Sequence, residues 1–226
     1  MPESSADPHP IIAIDGPAAS GKSTVARRVA RELGLVFVNS GAMYRAFTWQ
    51  ALRKGVDCSD RAAVLDLLER TDFQCGEANG DGTVRVDGDD PGDALNGADV
   101  NANVSIIAAY PEVRERLVAA QRAYADTAGV VMEGRDIGTA VFPGTPHKFY
   151  IDADPEVRAR RRQAQGLADS IADRDRRDSS RAAAPLSIAP GAEVIDSSDL
   201  DADGVVAAVL KILATRGLTP RATRRD

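Results

Sequence analysis

Residues 11–24 read IIAIDGPAASGKST. Ile11–Asp15 is an apolar run of strand length that ends on a carboxylate. It passes straight into Gly16, Pro17, Ala18, Ala19, Ser20, Gly21, Lys22, Ser23 and Thr24. Beyond Thr24 the apolar residues Val25, Val29, Ala30 and Leu33 recur at helical spacing, and Gly34 stops the pattern. Gly16–Ser23 therefore fits GxxxxGK(S/T) with a strand before it and a helix after it, the context the motif requires. Glycines let backbone N–H groups turn inward around an anion, and the helix directs its positive end to the same place. Lys22 then reaches the β- and γ-phosphates of a nucleoside triphosphate, and Ser23 ligates Mg²⁺. The alternative is a glycine-rich turn that binds nothing. Complete motif positions and two correct flanks count against it.

The surrounding pattern is that of an α/β chain. Leu35–Asn39, Val130–Glu133, His147–Asp152 and Glu193–Asp196 read as further strands, giving five. Helices are expected over Thr24–Leu33, Ala42–Lys54, from a cap at Ser59 or Asp60 to Arg70, from Pro111 to about Ala125, and over Pro155–Gln165 and Asp201–Thr215. Buried strands alternating with helices predict a parallel sheet covered on both faces. Phe73–Cys75 and the alternating stretch Thr83–Asp90 break the scheme and suggest a small antiparallel insertion.

Composition narrows the classes. The chain has 226 residues, 43% of them hydrophobic and only 4% aromatic, so the core must be largely Val, Ile, Leu and Ala. A formal net charge of −6 makes a nucleic-acid track a poor fit. Cys58 and Cys75 match no metal or disulfide spacing and suit a reducing cytoplasm. The opening MPESSADPHP has no secretory pattern, and no apolar run approaches the roughly 20 residues that span a bilayer.

The motif does not name the group that receives the phosphate. No guanine-reading NKxD occurs, and the DxxG at Asp201–Gly204 reads as a helix start, so a kinase is favoured over a GTPase. Three further stretches address the acceptor. In Asn39–Arg45, NSGAMYR, Ser40 stands at the carboxyl end of a strand, where open parallel sheets bind ligands. It can equally cap the helix that follows, and Arg45 can be a solvated helix face. In Met132–Gly138, MEGRDIG, the charges of Glu133, Arg135 and Asp136 arrive together at the same edge. Residues 158–181 carry Arg158, Arg160, Arg161, Arg162, Arg174, Arg176, Arg177 and Arg181, interleaved with Asp169, Asp173, Asp175 and Asp178. The aspartates argue against a nucleic-acid arm. A solvated salt-bridged helix and a cover that brings guanidinium groups onto transferring phosphates both remain. A helix there would place Arg174, Asp178 and Arg181 on one face.

IDGPAASGKST, NSGAMYR, EGRDIGTAVFP and RDRRDSSRAAAPL, in this order, resemble the bacterial cytidylate kinases over about Ile11 to Leu213. The resemblance implies a nucleoside-monophosphate kinase of the P-loop class: a five-stranded parallel sheet flanked by helices, with a small α+β insertion and a short lid. It implies ATP as donor, Mg²⁺, and CMP or dCMP as acceptor, giving CDP or dCDP plus ADP. It divides the chain into core segments 11–72, 106–157 and 182–216, an acceptor-binding insertion at 73–105 and an arginine-rich lid at 158–181. Residues 1–10 are expected to be disordered and 217–226 frayed.

By the same resemblance Ser40 and Tyr44 line the monophosphate pocket, and Arg45 and Arg135 hold the acceptor phosphate. Ser105, Arg114 and Asp136 read cytosine, Arg174 and Asp178 form a ribose-side pair, and Arg181 lies near the acceptor. Lys22, Arg135, Arg158, Arg162 and Arg174 are the expected catalytic cations. A cytoplasmic monomer acting on small molecules is implied, with neither nucleic acid nor membrane as partner. Two departures stand out: the stretch between Arg162 and Arg174 is short by roughly one helix, and Leu95-Asn96 replaces the usual isoleucine–arginine pair. Kinases for UMP, AMP, shikimate or dephospho-coenzyme A, and a nucleotide-binding protein without catalysis, are the alternatives.

Overall fold

Ile12, Ala13 and Ile14 are each fully buried, as a central strand covered on both faces must be. They belong to β1 (Ile11–Asp15). The computed structural model describes residues 9–164, 171–181 and 184–220, with backbone alone at 171–174. The other strands are β2 (Val36–Asn39), β3 (Phe73–Ala78), β4 (Asp81–Val86), β5 (Val130–Gly134), β6 (His147–Asp152) and β7 (Glu193–Asp196). Among the described residues they form one sheet in the order β3-β4-β2-β5-β1-β6-β7, so β3 and β7 are its edges.

The five expected strands run parallel, with Ile12 level with Val131 of β5 and His147 of β6. The expected total of five is corrected to seven. β3 and β4 pair antiparallel, and β4 continues the sheet beside β2 through the pair Phe37–Asp81. The reason is the open edge of β2: the Phe37 N–H donates to the Gly80 carbonyl at 2.8 Å. Gly82 makes the approach feasible, since a Cβ there would lie 3.2 Å from both the Tyr124 ring and Val38. Tyr124 completes the joint by donating its hydroxyl to the Thr83 carbonyl at 2.6 Å.

The helices are α1 (Lys22–Leu33), α2 (Ser40–Arg53), α3 (Arg61–Arg70), α4 (Ala98–Ile107), α5 (Pro111–Ala123), α6 (Pro155–Ala164), α7 (Ile171–Ser179) and α8 (Ala202–Thr215). Their starts follow local chemistry. Asp60 accepts the Ala63 N–H at 3.1 Å, and Asp201 accepts the Gly204 N–H at 2.8 Å, so the DxxG is a helix cap. The sequence pattern does not predict α4: ADVNANVSI alternates apolar and polar residues as a strand would, although Val100, Val104 and Ile107 are buried at helical spacing.

Alternation along the strands divides the core in two. Ile12, Ile14 and Val131 pack with Val25 and Val29 of α1 and with Val209 and Leu213 of α8. Ala13 and Met132 face Met43 and Phe47 of α2 and Leu117 of α5. Leu117 is fully buried in that second layer. Leu117→Ala should therefore cost about 2–5 kcal/mol, read as a lower urea midpoint with an unchanged slope.

Candidate active site

The carboxyl ends of β1, β2 and β5 converge on a cavity of about 320 Å³. One wall is the glycine loop. Gly16 adopts φ 153°, and a Cβ there would stand 2.1 Å from the Ile151 carbonyl oxygen, so only glycine lets the loop leave β1 across β6. Gly21 adopts φ 87° and opens α1, whose first amides face the cavity. Ala18, Ala19, Gly21, Lys22, Ser23 and Thr24 line that wall. Gly16, Pro17 and Ser20 are not among its lining residues. Pro17 accepts from the Lys22 ammonium through its carbonyl at 3.0 Å.

Glu133, near the end of β5, links this wall to the next. It is 4% exposed. Its carboxylate accepts from the Ser23 hydroxyl at 2.8 Å and lies 3.9 Å from the Lys22 ammonium. Its carbonyl accepts from the Ser40 hydroxyl at 2.8 Å. Ser40 therefore does not cap α2. Asn39 does, accepting the Ala42 N–H at 3.1 Å.

The second wall holds the acceptor candidates. Ser40, Tyr44, Arg45, Ser105, Arg114 and Asp136 all reach the cavity. Arg114 of α5 and Asp136 form a buried ion pair, with the guanidinium 5.8 Å from the Tyr44 ring centre. Burial pushes the Asp136 carboxyl above its ordinary value, against the pull of Arg114 and Arg181. Arg45 is lowered by burial and opposed by Glu133, yet an arginine at such a depth stays protonated. The Nε atoms of Arg45 and Arg181 are buried with no hydrogen-bond partner among the described residues. Both arginines also line the cavity, where an anion would offset their charge.

The third side comes from residues 158–181. Asp178 accepts from Arg135 Nε at 2.8 Å and also pairs with Arg181. Arg135, Arg162, Asp178 and Arg181 line the cavity. The structure does not bring Arg158 there. It is buried, pairs with Asp175, donates to the Ala153 carbonyl at 3.0 Å, and reaches the Ala18 carbonyl at 3.4 Å. The Arg174 side chain lies outside the described residues.

Sequence reasoning missed Arg161, which donates to the Ser197 carbonyl at 2.7 Å and braces the loop from outside. It also missed Asp175, whose carboxylate accepts the Ala18 N–H at 3.4 Å. Both lie in the arginine–aspartate run, where spacing alone does not say which charge turns inward. Asn96 lines the cavity as well.

The charge balance is decisive. Six cationic side chains (Lys22, Arg45, Arg114, Arg135, Arg162 and Arg181) face three carboxylates, in a chain whose net charge is −6. Such a site binds polyanions. A glycine loop opening a helix at the carboxyl edge of a parallel sheet, set against cationic acceptor groups, defines a P-loop phosphotransferase of the small-kinase type.

The chain belongs to the cytidylate kinase family, whose model matches residues 12–215. A cytidylate kinase of Geobacillus kaustophilus (strain HTA426) is 46% identical over 216 residues, spanning 91% of this chain and 96% of that protein. One from Rhodococcus opacus (strain B4) is 42% identical over 218 residues, spanning 91% and 95%. An unliganded sugar kinase from Janibacter sp. HTCC2649 superposes with a TM-score of 0.51 at 15% identity, covering 95% of this chain and 100% of its own; that likeness bears on the fold alone.

One buried carboxylate beneath the site has an inverted pH dependence. Burial raises Asp15 from 3.8 to about 6, against the N–H groups of Gly138 and Ile137 that lower it. The folded chain thus holds this proton more tightly than the unfolded chain does. The contribution of Asp15 to stability grows as pH falls from about 6 towards 4. Urea unfolding should show the parent gaining stability relative to Asp15→Asn between pH 7 and pH 5.

Proposed function

We infer that the chain transfers the γ-phosphate of ATP to CMP or dCMP, giving ADP and CDP or dCDP. The observation that carries this reading is the facing of two anion sites across one cavity. The amides and ammonium of residues 18–24 stand on one side, and the half-buried arginines Arg45, Arg135 and Arg181 on the other.

The chemistry follows from that placement. The nucleophile is a phosphate oxygen of the acceptor, whose second pKa is about 6, so at neutral pH no side chain need remove a proton. An O–Pγ bond forms, the bond between Pγ and the bridging oxygen breaks, and that oxygen leaves on ADP. The residues supply position and charge. Lys22 and the loop amides hold the donor phosphates. Arg45 and Arg135 orient the acceptor phosphate, with Arg181 beside them. Arg162 supplies positive charge from the lid.

Mg²⁺ fits the residues present. Among the described residues no cluster of three His, Cys, Asp or Glu could cage a metal ion. Mg²⁺ is usually held by phosphates, water and one or two protein oxygens, and Ser23 beside Glu133 offers that set. When bound, it neutralises charge on the donor phosphates.

Base recognition falls to the Arg114–Asp136 pair. Cytosine presents an N4 donor beside the N3 and O2 acceptors, so a carboxylate accepts from N4 while a guanidinium donates to N3 or O2. Uracil reverses that edge. Ser40, Tyr44 and Ser105 complete the walls, and Asp178 addresses the ribose hydroxyls, with Arg174 assigned to the same side. In this reading residues 73–105 close over the monophosphate and 158–181 form the lid. Among the described residues no helix is long and apolar enough to cross a membrane, and the free thiols Cys58 and Cys75 support a reducing cytoplasmic setting.

An acceptor panel with ATP and Mg²⁺ tests the reading. CMP should exceed UMP in kcat/KM by about one to two decades, the cost of one buried mispairing. Equal turnover of UMP would remove the base assignments. Lys22→Met should lower kcat by about 10²–10³-fold, the scale for losing one fixed charge-stabilising donor.

A further inference from the structure

Asp136 occupies the N-cap position of a helical turn but does not cap it. The turn, Ile137–Val141, is of the wide π type. Ala140 and Val141 donate to the Asp136 carbonyl at 2.8 and 3.2 Å, and Phe142 donates to the Ile137 carbonyl at 2.7 Å. The first amides of such a turn have no partner within it, and a local Asp or Asn ordinarily satisfies them. Asn39, Asp60 and Asp201 do so for α2, α3 and α8. The Asp136 side chain makes no cap bond, because it is turned to Arg114.

The missing cap comes from far along the chain. Asp15, the last residue of β1, accepts the Ile137 N–H with one carboxylate oxygen and the Gly138 N–H with the other, each at 2.8 Å. It is 2% exposed. Space for it is tight: a Cβ on Gly138 would lie 3.4 Å from Asp15 Oδ2 and 3.1 Å from the Ala189 Cβ. Asp15 also directly precedes Gly16. The same residue that launches the donor loop therefore fixes the turn that follows Arg135 and Asp136.

We propose that Asp15 is a positioning residue for base recognition: by capping the 137–141 turn in place of Asp136, it leaves the Asp136 carboxylate free to meet the acceptor base beside Arg114. The proposal rests on the assignment of Asp136 to cytosine. An ordinary structural cap would affect stability and both nucleotides alike. A positioning cap affects the acceptor base and acts through Asp136.

The test is a double-mutant cycle on Asp15→Ala and Asp136→Asn, reading KM for CMP, KM for ATP and the CMP-to-UMP ratio of kcat/KM. Asp15→Ala should raise KM for CMP and lower the ratio by about tenfold, the scale of one lost buried hydrogen bond, while KM for ATP stays within about twofold. Asp15→Asn keeps one acceptor and should fall between Asp15→Ala and the parent; it replaces alanine in the cycle if that variant does not fold. The double variant should discriminate no worse than Asp136→Asn alone. Additive losses of discrimination, an unchanged ratio in the Asp15 variants, or a matching rise in KM for ATP would overturn the proposal. If Asp136→Asn itself leaves the ratio unmoved, the base assignment is wrong and the inference falls with it. If only the Asp15 variants leave it unmoved, the base assignment stands and the inference alone fails.

Discussion

The buried carboxylate of Glu133 holds the site together. A charge 4% exposed persists only when it is paired and hydrogen-bonded. Glu133 meets that condition by binding the Ser23 hydroxyl and lying close to the Lys22 ammonium, while its carbonyl takes the Ser40 hydroxyl. The start of α1, the start of α2 and the end of β5 are thereby fixed relative to one another. Arg45 lies within the same field, which offsets part of the cost of burying a guanidinium. The donor loop and the acceptor wall are thus two sides of one polar network.

That network also explains how an acidic chain handles acidic ligands. Net charge describes behaviour at long range, whereas binding is decided within a few ångströms in a partly dry cleft. Here six of the 28 lysines and arginines gather around one cavity against three carboxylates, although acidic residues outnumber basic ones over the whole chain. Asp178 keeps Arg135 and Arg181 in place without cancelling them, since a single carboxylate pairs with both.

The sequence made the core of this legible, and physical reasons separate what it showed from what it hid. Phosphate geometry dictates the spacing of Gly16, Gly21 and Lys22, so the donor site could be read from a few residues. Pro111, Asp60 and Asp201 marked helix starts because capping is local. The choice at Ser40 stayed open because Asn39 and Ser40 are both good caps; burial beside β5 decides it. The docking of β4 on β2 depends on Gly82 meeting Tyr124, a contact between distant segments that leaves no periodic trace. Arg158 and Arg162 sit one helical turn apart, and their spacing gave no sign that one braces the loop while the other reaches the cavity. The partnership of Asp15 with Ile137 and Gly138 joins residues more than a hundred positions apart, beyond any local pattern.

Among the described residues the sheet ends on β3 and β7, and their form bears on how copies of the chain behave at high concentration. β7 has four residues and places Glu193 and Asp196 at its ends, with Val194 as its one large exposed apolar side chain. β3 carries Glu77 and Gly76 and exposes all but its first residue. Borders bearing acidic groups are poor templates for adding a strand from another molecule, because like charges would oppose one another along the new seam. Acidic borders of this kind let a seven-stranded sheet end without inviting a further strand.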